Sequence, residues 1–133
     1  MNGARYYNDS YSTTPEAAQV AVEAFDEPKI LILGGSSKNS DFTLLGQTIS
    51  ESKNIKAIIG IGAEWPRIKE HIHDPGVQII EGCKNMQEVV AAAHSIATPG
   101  DVVVLSPACA SFGMFKSYTD RGDQFRTAVE KLP

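Results

Sequence analysis

The chain has 133 residues, 42% of them hydrophobic and 21% charged, with a formal net charge of -4. That length suits one domain, 1–133, burying roughly two-thirds of its unfolded surface. The acidic balance argues against nucleic acid or an anionic membrane as partner, since both need basic patches. No apolar run approaches the roughly 20 residues of a membrane span, and Met1-Asn2-Gly3-Ala4-Arg5 does not read as a signal peptide. Cys83 and Cys109 stand in separate motifs without metal-site spacing, so a reduced, cytoplasmic monomer is the expectation.

Arg5-Tyr6-Tyr7-Asn8 reads as a strand that begins almost at the first residue, which suggests a piece cut from a longer protein. Thr14-Pro15-Glu16 is a helix start, with an N-cap hydroxyl, Pro at the first position and an acid in the first turn. Ala18, Val22 and Phe25 then give its apolar face. Lys29 to Leu33 is a buried strand ending at Gly34-Gly35. Asp41 can cap a helix carrying Phe42, Leu45 and Ile49. Ile55 to Gly62 is a further strand, and Glu64 to Ile72 a short helix that tolerates Pro66 only in its first turn. Val77 to Ile80 is a strand nearer an edge. Asn85 caps a helix with Met86, Val89, Val90, Ala93 and Ile96 on one face. Pro99-Gly100-Asp101 introduces the apolar strand 102–105, and a last helix covers about Asp120 to Leu132. Strands alternate with helices throughout, which predicts an α/β three-layer sandwich with a mostly parallel sheet.

Three strand-end loops carry the polar clusters: Asn8 to Thr14, Gly34 to Asp41, and Ser106 to Tyr118. A parallel sheet places all three at one edge, where open α/β sheets bind ligands. Small residues, hydroxyls and free N–H groups at a turn into a helix suit an anion, and the chemistry suggested is carboxylate recognition. Gly34 to Lys38 does not match a phosphate loop, because Ser37 precedes Lys38 and Asn39 follows it. No G-x-G-x-x-G is present. Cys109 lacks a histidine in a neighbouring strand-end loop and reads as a small buried thiol. Trp65 and Phe25 read as packing residues. Asp120, Arg121 and Asp123 read as a helix N-terminus with a surface ion pair.

Leu105-Ser106-Pro107-Ala108-Cys109-Ala110-Ser111, followed by Phe115-Lys116 and Arg121-Gly122-Asp123-Gln124-Phe125, is similar to the L-S-P-A-x-A-S…F…R-G-x-x-F signature of the Mur ligases that add D-glutamate. Asn8-Asp9-Ser10 with Thr13 and Pro15, and Leu33-Gly34-Gly35 with Lys38 and Asp41-Phe42, match that group's other two motifs in order and spacing. Essentially the whole chain resembles the C-terminal domain of this family. The resemblance implies a Rossmann-like sheet and a domain that holds D-glutamate and closes over ATP. In the family, ATP phosphorylates a substrate carboxylate and an amine attacks the acyl phosphate, giving an amide, ADP and phosphate. Carried over by position, Thr13, Lys38, Ser111 and the Phe112 backbone hold the glutamate carboxylates, and Tyr118 lines the pocket. Asp9 reaches the nucleotide, with Asn8 and Tyr11 beside it. The implied partners are D-glutamate, ATP with Mg, and UDP-N-acetylmuramoyl-L-alanine.

Tyr11 stands where the D-glutamate-adding members have Lys, and Ser10 to Pro15 can also be laid on the D-Y-A-H-T-P of sibling ligases. The third loop favours D-glutamate; the sibling D-N-P-R motif is absent, as is the H-N-P of folate-polyglutamate ligases. The resemblance places the phosphate loop, the magnesium ligands and the UDP grip in N-terminal and central domains whose sequences are not among these residues. The 133-residue chain is therefore expected to have no catalytic residues of its own, no metal ligands, no tightly held cofactor and no ligase activity alone. The rival reading is a stand-alone α/β module that binds a small anion or nucleotide in the same crevice without catalysis, or the matching domain of a sibling Mur ligase.

Overall fold

A computed structural model describes residues 4–8, 14–35, 41–52, 54–62, 64–73, 77–106, 115 and 117–132. They form β1 (Arg5–Asn8), α1 (Pro15–Ala24), β2 (Lys29–Gly34), α2 (Thr43–Glu51), β3 (Ile55–Ile61), α3 (Trp65–Lys69), β4 (Gln78–Ile80), α4 (Met86–Ile96), β5 (Val102–Leu105) and α5 (Tyr118–Glu130). The strands hydrogen-bond in the order β1-β5-β2-β3-β4, and every pairing is parallel. β5, the last strand in the chain, is thus inserted between β1 and β2.

Ala18 and Val22 of α1, Leu45 and Ile49 of α2, and Trp65 and Ile68 of α3 cover one face of the sheet over Leu31, Leu33, Ile58, Val102 and Val104. On the other face, Met86, Val89, Val90 and Ala93 of α4 join Phe125 and Ala128 of α5 over Ile30, Ile32, Ala57, Ile59, Val103 and Leu105. This is the three-layer α/β sandwich expected. β2 and β5 are buried on both faces, which is why they read as unbroken apolar runs rather than alternating ones. Each fully buried Leu or Ile contributes about 1.5–3 kcal/mol of transfer free energy. The register shifts between Lys29 and Ile30, so Ile55 and Ile58 both reach the same layer although three residues apart.

Local chemistry sets the helix ends. Asn85 Oδ1 accepts the Glu88 N–H at 2.9 Å, and Glu88 Oε1 accepts the Lys84 N–H at 3.1 Å, a reciprocal cap on α4. α5 begins at Tyr118, two residues before the expected Asp120, because Ser117 Oγ accepts the Asp120 N–H at 3.0 Å. α2 begins at Thr43; Asp41 Oδ1 accepts the Thr43 N–H at 2.9 Å and the Thr43 hydroxyl at 2.6 Å. α3 ends at Lys69 rather than Ile72, and the His71 and Ile72 N–H groups bond back three residues in a tightened turn. Among the described residues no helix is long and apolar enough to cross a membrane.

Candidate functional site

The three polar loops leave β1, β5 and β2, which are neighbours in that order. Asn8 lies opposite Leu105, and Leu105 opposite Ile32, so β1 and β5 end at one level while β2 runs two residues further, to Gly34. Neighbouring strands are about 4.8 Å apart, so the outer two of the three strands, β1 and β2, lie about 10 Å apart across the sheet. That is the span of one small ligand. The Ser106 N–H continues the ladder to the Ile32 carbonyl at 3.2 Å, and Ser106 is fully buried.

At the β2 end, backbone presses on backbone. A Cβ on Gly34 (φ 117°) would lie 1.9 Å from the Ile61 carbonyl oxygen, and one on Gly62 (φ 73°) 2.7 Å from Gly35. Only glycine fits both the contact and the dihedral. The close approach brings the entry to α3 over the root of the second loop. The Glu64 N–H donates to the Gly35 carbonyl at 2.9 Å. The Glu64 side chain is 5% exposed and its carboxylate pairs with Arg67. Arg67 in turn places its guanidinium carbon 5.3 Å from the ring centre of Phe42. The Asp41 carboxyl is held below the usual carboxylate range, first by the Thr43 hydroxyl and N–H, then by attraction to His71 and Arg67.

At the third loop's far end, Asn8 Nδ2 donates to the Gly122 carbonyl at 3.1 Å, tying β1 to α5. Arg121 is not part of a surface ion pair. It is 0% exposed, and it is partnered. Asp123 pairs instead with Arg126, at 2.9 Å, on the exposed side of the helix. The correction has a helical cause: Arg121, Phe125 and Ala128 recur at i, i+4 and i+7, one buried stripe. That periodicity was the available signal for Arg121. Glu64 and Arg67 had none, because their partners Gly35 and Phe42 lie on the far side of α2 and β3 in sequence.

Of the expected site residues, Thr13, Lys38, Ser111, Phe112, Asp9 and Tyr11 lie outside the described residues, as do Cys109 and the side chain of Tyr118. Tyr118 contributes the first residue of α5. Asn8 ends β1 with its amide nitrogen engaged by Gly122. Among the described residues no group of three or more His, Cys, Asp or Glu is placed to hold a metal ion. Two cavities lie elsewhere and draw no residue from the carboxyl ends of β1, β5 or β2. One, of about 340 Å³, is lined by Asn85, Met86 and Thr127 between α4 and α5; another, of about 310 Å³, is lined by Val22, Lys29 and Ser52.

Comparison with known proteins agrees with this geometry. The UDP-N-acetylmuramoylalanine–D-glutamate ligase of Pelotomaculum thermopropionicum is 41% identical over 132 residues, which is 99% of this chain and 29% of that protein. The ligase of the same name from Roseiflexus sp. is 41% identical over 99% of this chain and 28% of its own length. That of Bacillus thuringiensis (strain Al Hakam) is 39% identical over 99% and 29%. The chain thus spans under a third of these relatives. The family described as "Mur ligase, glutamate ligase domain" matches residues 1–109, and this chain belongs to it.

Proposed function

We propose that residues 1–133 are a single D-glutamate-binding domain of an ATP-dependent ligase that joins D-glutamate to UDP-N-acetylmuramoyl-L-alanine in cytoplasmic peptidoglycan synthesis. The remainder of a longer protein would supply the UDP-binding and ATP-binding domains. The observation that supports this reading most is the adjacency of β1, β5 and β2, whose carboxyl ends launch the three motif loops side by side. In this reading Thr13, Lys38, Ser111 and the Phe112 N–H hold the two carboxylates of D-glutamate, and Tyr118 walls the pocket. Hydrogen bonds to a charged carboxylate are roughly twice as strong as neutral ones, so one lysine with two hydroxyls and an amide suffices for orientation. Orienting the amine is the domain's contribution to rate, because positioning converts a two-body attack into a one-body step.

Asp9 and Tyr11, with Asn8 fixing the point where they leave β1, face the nucleotide when the domain closes. ATP and magnesium, held in the whole ligase, supply the phosphoryl group that activates the acceptor carboxylate. Closure about a hinge completes the site. Alone, the chain offers one side of the cleft and is inactive.

Two measurements test the proposal. Incubating the chain with ATP, Mg, D-glutamate and UDP-N-acetylmuramoyl-L-alanine should release no phosphate above background; turnover would refute the inactive-alone claim. Titrating the chain with D-glutamate should move the amide resonances of Lys38 and Ser111, and L-glutamate should move them less. Unmoved resonances in the wild-type chain, together with an unchanged D-glutamate KM on replacing Lys38 by Ala in the full-length ligase, would remove the site from these loops.

A further inference from the structure

We infer that Glu64 and Arg67 are positioning residues for the loop that carries Lys38, an inference that rests on the D-glutamate reading above for its functional consequence. The loop leaves the sheet at Gly35 and rejoins regular structure at Asp41 and Phe42. One short helix, α3, contacts both roots. Its N-cap residue Glu64 donates its backbone N–H to Gly35 at 2.9 Å, at the entry. Its third residue, Arg67, lies over the ring of the buried Phe42, at the exit. The Glu64 carboxylate and the Arg67 guanidinium pair with each other, closing the connection between the two roots.

The partners differ in exposure, and this decides the role. Arg67 is about half exposed, so the pair adds little to global stability. Glu64, by contrast, is buried, and a buried polar side chain requires a hydrogen-bonding partner. Arg67 therefore fixes Glu64, and Glu64 fixes Gly35. Arginine is suited to this double duty because its planar guanidinium can pair at its edge while stacking with its face. Lysine could supply the charge and not the stacking. Gly62, at φ 73°, gives the turn that sets α3 over Gly35. Asp41, from the exit root, is attracted to Arg67 and His71, which adds a second hold at that end.

The test uses the 133-residue chain and three forms: wild type, Arg67→Ala and Arg67→Lys. Amide hydrogen exchange and D-glutamate titration are both followed by NMR. In Arg67→Ala, exchange of the Glu64 amide, which is bonded to Gly35, should accelerate about tenfold or more, while the β5 amides Val103 and Val104 keep their protection. The D-glutamate dissociation constant should rise at least fivefold. Arg67→Lys should recover part of both effects. Unchanged exchange at Glu64 in Arg67→Ala would overturn the inference, as would equal acceleration in β5, which would mark a general loss of stability. If the wild-type chain shows no D-glutamate shift, the glutamate reading falls by itself, and the exchange data still decide whether α3 holds the loop.

Discussion

The side chain of Asn8 donates to the backbone carbonyl of Gly122 at 3.1 Å, across 114 residues of sequence. The bond joins the end of β1, an edge strand whose described neighbour is β5 alone, to the second turn of α5. Asn8→Ala should cost about 1 kcal/mol, the net worth of one such bond. Thermal denaturation should show a midpoint lower by about 4–8 °C for a domain near 100 residues, somewhat less here. An unchanged midpoint would mean that β1 is held by its ladder to β5 alone.

Asp101 lies at the amino-terminal ends of the strands, just before β5. Its carboxylate accepts from Lys56 Nζ at 2.7 Å, from the Thr98 N–H at 2.9 Å and from the Thr98 hydroxyl at 3.1 Å, and the residue is only 4% exposed. Burial alone would raise its pKa, but the bonds from Lys56 and Thr98 together outweigh it, and the net shift is downward. A folded-state pKa below the unfolded one gives stability that is complete above the unfolded value and fades as pH falls through the folded value. Asp101→Ala should therefore cost about 2 kcal/mol at neutral pH, the worth of a charged hydrogen-bond set with a partly exposed partner. The difference from wild type should shrink on acidification below about pH 4. A difference independent of pH would assign the loss to packing.

Lys29 is the reverse case. It is 1% exposed at the start of β2, and burial lowers its pKa despite the opposing attraction of Asp26 and Glu27. A lysine with a depressed folded-state pKa opposes folding at neutral pH, since the unfolded chain binds its proton more tightly. Lys29→Met keeps the apolar stem and removes the buried charge. Denaturant melts at pH 7 should show the variant as stable as wild type or more so. A loss above about 1 kcal/mol would mean that attraction to the two acids exceeds the desolvation cost.

Gly34 and Gly100 separate two costs usually confounded. Both have positive φ, 117° and 92°, but a Cβ on Gly34 collides with the Ile61 carbonyl while one on Gly100 meets open space. Gly100→Ala should cost about 1 kcal/mol, the dihedral penalty alone. Gly34→Ala adds a backbone collision and should destabilise by several kcal/mol, into the range of core overpacking or beyond. Parallel unfolding curves check it; equal losses would show that the β2 and β3 ends yield easily.

The amount of this structure legible in the sequence varied with the range of the interaction. α4 could be read off because its cap, Asn85 with Glu88, lies three residues apart. The apolar runs of β2 and β5 could be read because strands buried on both faces leave no polar alternation. The end of α3 could not, since its last turn tightens under bonds that no residue type announces. Nor could the insertion of β5 between β1 and β2, a long-range choice that periodicity does not record. Arg121 was misplaced on the surface although its spacing to Phe125 and Ala128 marked it as buried. The site residues Thr13, Lys38 and Ser111 were legible only through the resemblance of their loops, since a hydroxyl before a helix is by itself an ordinary cap.

The position of β5 imposes an order of assembly on a growing chain. β1 is synthesised before the other described strands, yet its described neighbour is not made until residues 102–105 follow. At ribosomal speeds of 5–20 residues per second the amino-terminal strand waits roughly 5 to 20 seconds. In that interval β2, β3 and β4 can pair with one another, leaving the flank of β2 vacant. The arrival of β5 then fills that flank and captures β1 in one event, so the strands that launch the three motif loops come into line only at that step.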